Sequence, residues 1–248
     1  MGILQELTRD LLLGEVVSVT VGLGRAAVVA MTNDGLRCGI AVVSSDWPSR
    51  GARPLVQQAG QLERLSPTEL ATLAVSDSPA ERGVGMAAIN AFLPKPTHLD
   101  QDFNVEAMVA TAKPAKKIAV VGHFPFVDRL RALGRKLDVL ELRPKEGDLP
   151  AEMAEFVLPK ADIIIVTGTT LENGTFDKLA QLPKTTADVY LVGPTTPLAS
   201  RVFSYNIKAC CGAEITAIDK TVKAISQGAT YRQLKEMNLV RQVTYWRP

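Results

Sequence analysis

The sequence predicts an α/β protein: a Rossmann-like parallel sheet preceded by a smaller α+β unit with a three-stranded antiparallel sheet. Two textures predict it. Between residues 16 and 43, β-branched alternation is broken only by turn residues, as in consecutive hairpins. From residue 117 onward, short uninterrupted apolar runs alternate with helical segments, as in βα units whose strands are covered on both faces. A chain of 248 residues with 46% hydrophobic and 22% charged side chains can bury one large core or two modest ones, which excludes disorder as the main state.

The first element is a helix. Ile3, Leu4, Leu7 and Leu11 recur at helical spacing, and Gly14 stands where a helix C-terminal glycine belongs. Strands follow through 17–21, 27–31 and 38–43, and Asn33-Asp34-Gly35 between the last two is a strong hairpin signal. The segment Gly22-Leu23-Gly24-Arg25-Ala26-Ala27 fits a relaxed dinucleotide fingerprint, but that fingerprint needs a helix to open at its second glycine. β-branched residues follow instead, so the segment reads as a hairpin turn. Helices start at Ser66-Pro67-Thr68-Glu69 and Ser78-Pro79-Ala80-Glu81, both with the capping-box pattern and proline at the first helical position. The second helix carries Gly83, Gly85, Ala87 and Ala88, small residues that let another backbone, or a ligand, come close.

Pro94, Pro96 and Pro114 punctuate the next stretch, and the boundary between the two units is expected near residue 112, giving domains 1–112 and 113–248. In the second, strands are expected over 117–122, 137–142, 163–168, 189–193 and 208–211. Helices are expected over 125–133, 150–158, 175–182, 197–203 and 218–227.

Charge and cysteine content narrow the function classes. Lys+Arg of 28 against Asp+Glu of 26 leaves +2, without a long basic run, so nucleic acid is not an expected partner. Residues 1–112 hold 8 basic and 12 acidic side chains, and the remainder 20 and 14. The basic second part suits an anionic small ligand, and equally an ordinary solvated surface. Cys38, Cys210 and Cys211 are an odd count in a long chain, which points to free thiols and a cytoplasmic setting. The first ten residues lack the pattern of a secretory signal, and no apolar run reaches membrane-spanning length.

Candidate site residues cluster at the C-terminal ends of the expected parallel strands. Val120-Val121-Gly122-His123-Phe124-Pro125 ends the first, where Gly122 admits close backbone approach and the following helix start offers N–H groups to an anion. His123 can donate, accept or shuttle a proton, or be a hydrogen-bonded structural residue. Glu141 ends the second strand, where dinucleotide-binding folds place an acid for ribose hydroxyls, although the glycine fingerprint is missing. Asp148 is a ligand candidate or a cap for the next helix. Thr167-Gly168-Thr169-Thr170, with Asn173 beyond it, and Gly193-Pro194-Thr195-Thr196 are hydroxyl-rich glycine turns at the same sheet edge, suited to polar ligand atoms or to helix capping. Together these turns suggest a ligand cleft. Metal chemistry has little support: two histidines and three cysteines include no C-x-x-C or H-E-x-x-H, and adjacent Cys210 and Cys211 on a strand point to opposite faces. Nor is there a G-x-S-x-G elbow for a hydrolase triad.

These strand-end motifs, together with Gly147-Asp148-Leu149-Pro150, Asn173-Gly174-Thr175 and Gly83-Val84-Gly85-Met86-Ala87-Ala88-Ile89-Asn90-Ala91, resemble the "putative heavy-metal-chelation" family over nearly the whole chain. The resemblance implies an enolase-N-terminal-like first domain packed on a Rossmann-like one, with a cleft between them and a role near metal or metal-complex handling. Direct chelation by the protein sits poorly with so thin a set of soft ligands. The expectation is therefore a cleft that binds a small polar or anionic molecule, a metal chelate or its precursor, through His123 and the glycine-threonine turns. If chemistry follows, His123 is its general acid or base; Thr169, Thr170 and Asn173 orient the substrate, and Asn90 closes the cleft from the first domain. The alternative is a transferase or oxidoreductase using an adenosine-containing cofactor, with Glu141 on the ribose. Direct metal sequestration and a ligand-free scaffold are the remaining readings, and the sequence leaves homo-oligomerisation open.

Overall fold

The computed structural model describes residues 2–44 and 54–248. The chain opens with a short helix, α1 (Ile3–Leu7), extended by a 3₁₀ turn over Thr8–Asp10. Three antiparallel strands follow, β1 (Gly14–Val21), β2 (Arg25–Thr32) and β3 (Gly35–Val42), in the order β1-β2-β3. Asn33 and Asp34 form the two-residue turn between paired Thr32 and Gly35, and Gly22-Leu23-Gly24 turns β1 into β2 as expected of a hairpin. Gly14 corrects the sequence reading. It does not end a helix but starts β1, where the first carbon of any side chain would lie 2.1 Å from Met31 O on β2.

Two helices cover this sheet, α2 (Pro67–Thr72) and α3 (Pro79–Phe92). The capping box at Ser66 forms in full, with Ser66 Oγ accepting from Glu69 N at 3.3 Å and Glu69 Oε2 accepting from Ser66 N at 2.8 Å. The one expected at Ser78 does not form. Ser78 donates to Leu55 O, and Glu81 turns inward to accept from Gln57 N at 2.8 Å and from the Ser76 hydroxyl, so both side chains hold the preceding loop instead of the helix end. Helix α3 is buried on nearly every side, Met86, Ile89 and Phe92 being fully enclosed. Each such side chain contributes about 1.5–3 kcal/mol of burial free energy. Its small residues serve packing: side chains at Gly83 and Gly85 would strike Val42 O at 2.6 Å and Ala74 N at 2.0 Å, and one at Gly39 would strike Ala87 O at 2.2 Å.

The second sheet takes up the rest of the chain: α4 (Val105–Thr111), β4 (Ile118–Val121), α5 (Val127–Ala132), β5 (Asp138–Glu141), β6 (Leu149–Pro150), α6 (Ala154–Val157), β7 (Ile163–Thr167), α7 (Thr169–Glu172), α8 (Phe176–Leu179), β8 (Asp188–Val192), β9 (Ala209–Ile215), α9 (Ile218–Ser226), α10 (Tyr231–Glu236) and β10 (Val240–Trp246). The order is β6-β5-β4-β7-β8-β9-β10, all parallel except β10, which pairs antiparallel with β9. The expected helix over 197–203 is instead a 3₁₀ run, Ser200–Tyr205, and the one over 150–158 is broken into 3₁₀ turns around the single turn of α6. Helices α4, α7 and α10, the edge strand β10 and the two-residue β6 are not among the expected elements. No described helix is long and apolar enough to cross a membrane.

From β4 the chain runs outward through β5 and β6, then returns to β7 on the other side of β4. A crevice therefore opens at the carboxyl ends of β4 and β7, the topological switch point at which open α/β sheets bind ligands. The same apolar cluster holds α3, β2 and β3 residues together with Ala119, Val121, Ile164, Val166 and Leu191 of the parallel sheet, so the two sheets share one core.

Gly85→Ala tests the close packing of α3. Helix propensity alone would stabilise by about 1 kcal/mol, whereas a clash with backbone atoms destabilises by about 1–3 kcal/mol. The expected outcome is a melting temperature several degrees lower, and an unchanged or higher one would show that α3 is not clamped as described.

Candidate functional site

The crevice at the switch point opens into a cleft of about 1700 Å³. Gly122 makes its floor possible. Its φ of +97° favours glycine, and a side chain there would meet Thr167 Cγ2 of β7 at 2.8 Å. The next residue, His123, carries the chemistry. Its side chain is 7% exposed, its Nδ1 lies 2.8 Å from Asp148 Oδ2, and its backbone N donates to Glu141 Oε2 at 2.7 Å.

Asp148 is fully enclosed and does not cap a helix. It also accepts from Arg131 Nη2 at 3.0 Å and from Lys145 N at 3.1 Å. Burial alone would raise its pKa, but the hydrogen bonds from His123, Lys145 and Arg131 outweigh burial and hold it below the ordinary carboxylate value. An ionised Asp148 accepts a hydrogen bond from Nδ1–H and so orients the ring, turning Nε2 away from Asp148. That atom is buried and has no hydrogen-bond partner, with Asp128 Oδ1 3.5 Å away. A buried imidazole nitrogen oriented by a carboxylate is the arrangement of a general base or of a ligand-binding acceptor.

Most of the expected residues meet in this cleft. Gly122, His123, Phe124, Glu141, Thr167, Thr169, Thr170, Asn173, Gly193, Pro194 and Thr195 line it. Phe124 stacks on Phe126, ring centroids 5.0 Å apart, to make an apolar wall. Much of the polar capacity is turned inward, however. Thr167 Oγ1 donates to Thr169 Oγ1 at 3.1 Å, Thr170 Oγ1 donates to Thr167 O at 2.7 Å, and Asn173 Oδ1 accepts from Thr175.

Four expected residues lie off the cleft wall. Asp148 stands behind His123. Gly168 packs beneath Thr196, whose Oγ1 would be 2.6 Å from a side chain there. Asn90 does not close the cleft; its Nδ2 donates to Ile40 O at 3.0 Å and Thr195 O at 3.2 Å, while Val42 N donates to Thr195 Oγ1 at 3.0 Å. Asn90 and Thr195 thus join the two sheets. The strand-end glycine amides are committed too: Gly122 N to Leu140 O, Gly168 N to Val192 O and Gly193 N to Cys211 O, at 2.8–2.9 Å. The helix expected over 125–133 forms as α5, Val127–Ala132, five residues beyond Gly122.

Arg25 on β2 is a cleft residue that sequence reasoning missed. Its guanidinium lies over the Tyr231 ring at 5.2 Å, and its Nε and Nη1 are buried without partners. A lone arginine opening the apolar run Ala26-Ala27-Val28-Val29-Ala30 was a readable signal, as was the capping box of Thr230 and Gln233 that starts α10 and sets Tyr231 in place. Nothing in the sequence marks Arg131 as the partner of Asp148.

Direct metal binding does not fit the donor set. Among the described residues, no group of three or more His, Cys, Asp or Glu side chains could hold a metal ion. Burial pushes the Cys38 thiol up to about 12 and Cys211 to about 11, and raises Cys210 further, so all three stay protonated at neutral pH. Cys210 and Cys211 face the cores on opposite sides of the parallel sheet.

Two family models, DUF364 and DUF4213, both described as "Putative heavy-metal chelation", match residues 105–244 and 6–93. An uncharacterized protein of Methanocaldococcus jannaschii is 32% identical over 168 residues, which is 62% of this chain and 62% of that relative's length. A crystal structure of a DUF364-family protein with unknown function from Desulfitobacterium hafniense superposes with a TM-score of 0.82 at 23% identity, covering 99% of this chain and 98% of that one. Another such structure, from Pyrococcus horikoshii, gives 0.76 at 20% identity over 97% and 95%. At these identities the two structures share the fold with this chain.

Asp148→Asn tests the dyad. Weakened bonds to His123 and Arg131 are expected to destabilise by about 1–3 kcal/mol at neutral pH. Since the folded pKa of Asp148 is depressed, its stabilisation is fully present above about pH 4 and is lost as the pH falls through the lower folded value. Urea unfolding at about pH 7 and about pH 3 is expected to show the gap between variant and wild type closing in acid; a gap independent of pH would contradict this account.

Proposed function

The chain belongs to the family described as "Putative heavy-metal chelation", and from that premise we propose that its cleft binds a small polar or anionic molecule, a metal chelate or the precursor of one. The observation that carries this reading is His123 Nε2: a buried ring nitrogen on the cleft without a hydrogen-bond partner, 3.5 Å from Asp128 Oδ1, on a ring oriented by Asp148. An unsatisfied buried polar atom is costly, and a ligand N–H or O–H would satisfy it. A single imidazole cannot chelate a metal ion. It can occupy one open position of an ion that arrives already held by a small chelator, or take a proton from that molecule. The reading treats the cleft as lying between two domains with a boundary near residue 112. Thr169 and Asn173 on its wall would orient the ligand.

One observation favours a second reading, an enzyme with an adenosine-containing cofactor. Glu141 lines the cleft at the end of β5, next to β4 in the sheet, where dinucleotide-binding folds place the ribose-binding acid. Both its oxygens already accept backbone N–H groups, from His123 and Leu142, and each retains a further lone pair for a ribose hydroxyl.

Native mass spectrometry of the purified protein, set against the denatured sample, distinguishes these readings. The expected result is an organic mass of a few hundred daltons that departs on unfolding and is lost in His123→Asn. A nucleoside-containing mass would favour the second reading, and a bare metal ion would replace both with direct sequestration. No added mass, together with no thermal stabilisation by chelators or nucleotides, would sink the proposal.

A further inference from the structure

We propose that Arg25 is the anion socket of the cleft and that the ligand carries a carboxylate or phosphate group seated on its guanidinium. This rests on the reading of the cleft as a ligand site and adds the chemical class of what it holds. Three observations lead to it. First, the cation is buried without a counter-ion among the described residues. Nε and Nη1 of Arg25 have no partner, and among the described residues no carboxylate pairs with this side chain. Arg37 and Arg131 are satisfied instead, Arg37 by Ala91 O and Leu93 O, Arg131 by Gly147 O and Asp148.

Second, the surroundings hold the guanidinium in place without neutralising it. The Tyr231 ring lies 5.2 Å from it. Burial pushes that phenol up to about 12, so Tyr231 offers a π-face and no negative charge at neutral pH. Burial also lowers the pKa of Arg25, the direction for a cation denied solvent and given no partner. Third, the backbone donors that usually take the anion in this fold are spent, since Gly122, Gly168 and Gly193 all donate to neighbouring strands. Anion recognition therefore passes to a side chain, and a guanidinium fork matches carboxylate and phosphate alike. Arg25 and His123 line the same cleft, so one ligand can present its acid to Arg25 and a polar donor to His123.

The test titrates the full chain with citrate and, separately, with inorganic pyrophosphate, by calorimetry and thermal melting, in wild type, Arg25→Gln and Arg25→Lys. The expected result is that at least one probe binds wild type, that Arg25→Gln weakens it at least about tenfold, and that Arg25→Lys falls between. Response to citrate alone assigns a carboxylate, response to pyrophosphate alone a phosphate, and either supports the socket. In the absence of anion, Arg25→Gln is expected to melt no lower than wild type, because it removes an unpaired buried charge; a purely structural arginine would lower it. Equal affinity in Arg25→Gln, or no binding to wild type by either probe up to about 10 mM, overturns the proposal. The cleft reading would then stand or fall separately on the mass found with wild type and His123→Asn.

Discussion

The burial of α3 between the small sheet on one side and α2, the turn after it and α7 on the others is the constraint on which the rest of the structure depends. A helix enclosed on nearly every side needs small residues wherever another backbone crosses it, and Gly83, Gly85, Ala87 and Ala88 provide them. The close approach brings β3 near the turn after β8, where Val42 N and Asn90 Nδ2 both donate to Thr195. Those two bonds and the shared apolar core fix the small sheet relative to the large one. Arg25, at the start of β2 and paired with Val42, is thereby set against a cleft whose other wall belongs to the parallel sheet. Any movement of one sheet relative to the other would have to disturb this shared core and break the bonds that Val42 and Asn90 make to Thr195.

The parallel sheet uses Rossmann topology without the usual Rossmann chemistry. Its switch point lies between β4 and β7, as in dinucleotide-binding folds, and its strand-end turns are rich in glycine. Yet Gly122 N, Gly168 N and Gly193 N continue the sheet ladder by one residue each, and α5 opens five residues beyond Gly122. The positive φ of Gly122 and Gly193 turns the chain sharply at the strand ends without freeing those N–H groups. The polar groups at this edge are instead side chains held from behind: His123 by Asp148, Asp148 by Arg131, and Arg25 by Tyr231.

What was legible in the sequence was local. Asn33-Asp34 before Gly35 fixes a hairpin because a two-residue turn tolerates few other pairs, and continuous apolar runs such as Ile163-Ile164-Ile165-Val166 mark strands covered on both faces. The strand-end motifs consequently pointed to one edge and to most of the residues that line the cleft. What was not legible depends on neighbours far away in the chain. Gly14 and a helix-ending glycine look alike until β2 is laid beside it. Ser78 and Glu81 fit a capping box, but the loop at Leu55 and Gln57 competes for both side chains. Asn90 and Thr195 carry ligand-like chemistry and spend it on joining the sheets, while Arg25 enters the cleft from 98 residues before His123.

The family description names heavy-metal chelation, and the chemistry of the donor set limits how that can be read here. Soft metals are held by thiolates or several imidazoles. The three thiols are kept protonated by burial, and on β9 adjacent thiols point into separate cores. His123 offers one nitrogen, and Asp148, its strongest neighbour, is occupied by His123, Arg131 and Lys145. An unpaired guanidinium on the same cleft raises the local positive potential, which repels a bare cation and attracts an anionic complex. On the proposed reading, a metal would reach this cleft as part of a small molecule whose own acidic groups outweigh the charge of the ion, with the protein contributing at most one ligand. The same charge pattern suits the metal-free acid, so a site built in this way can serve making, carrying or dismantling a chelator without itself being one.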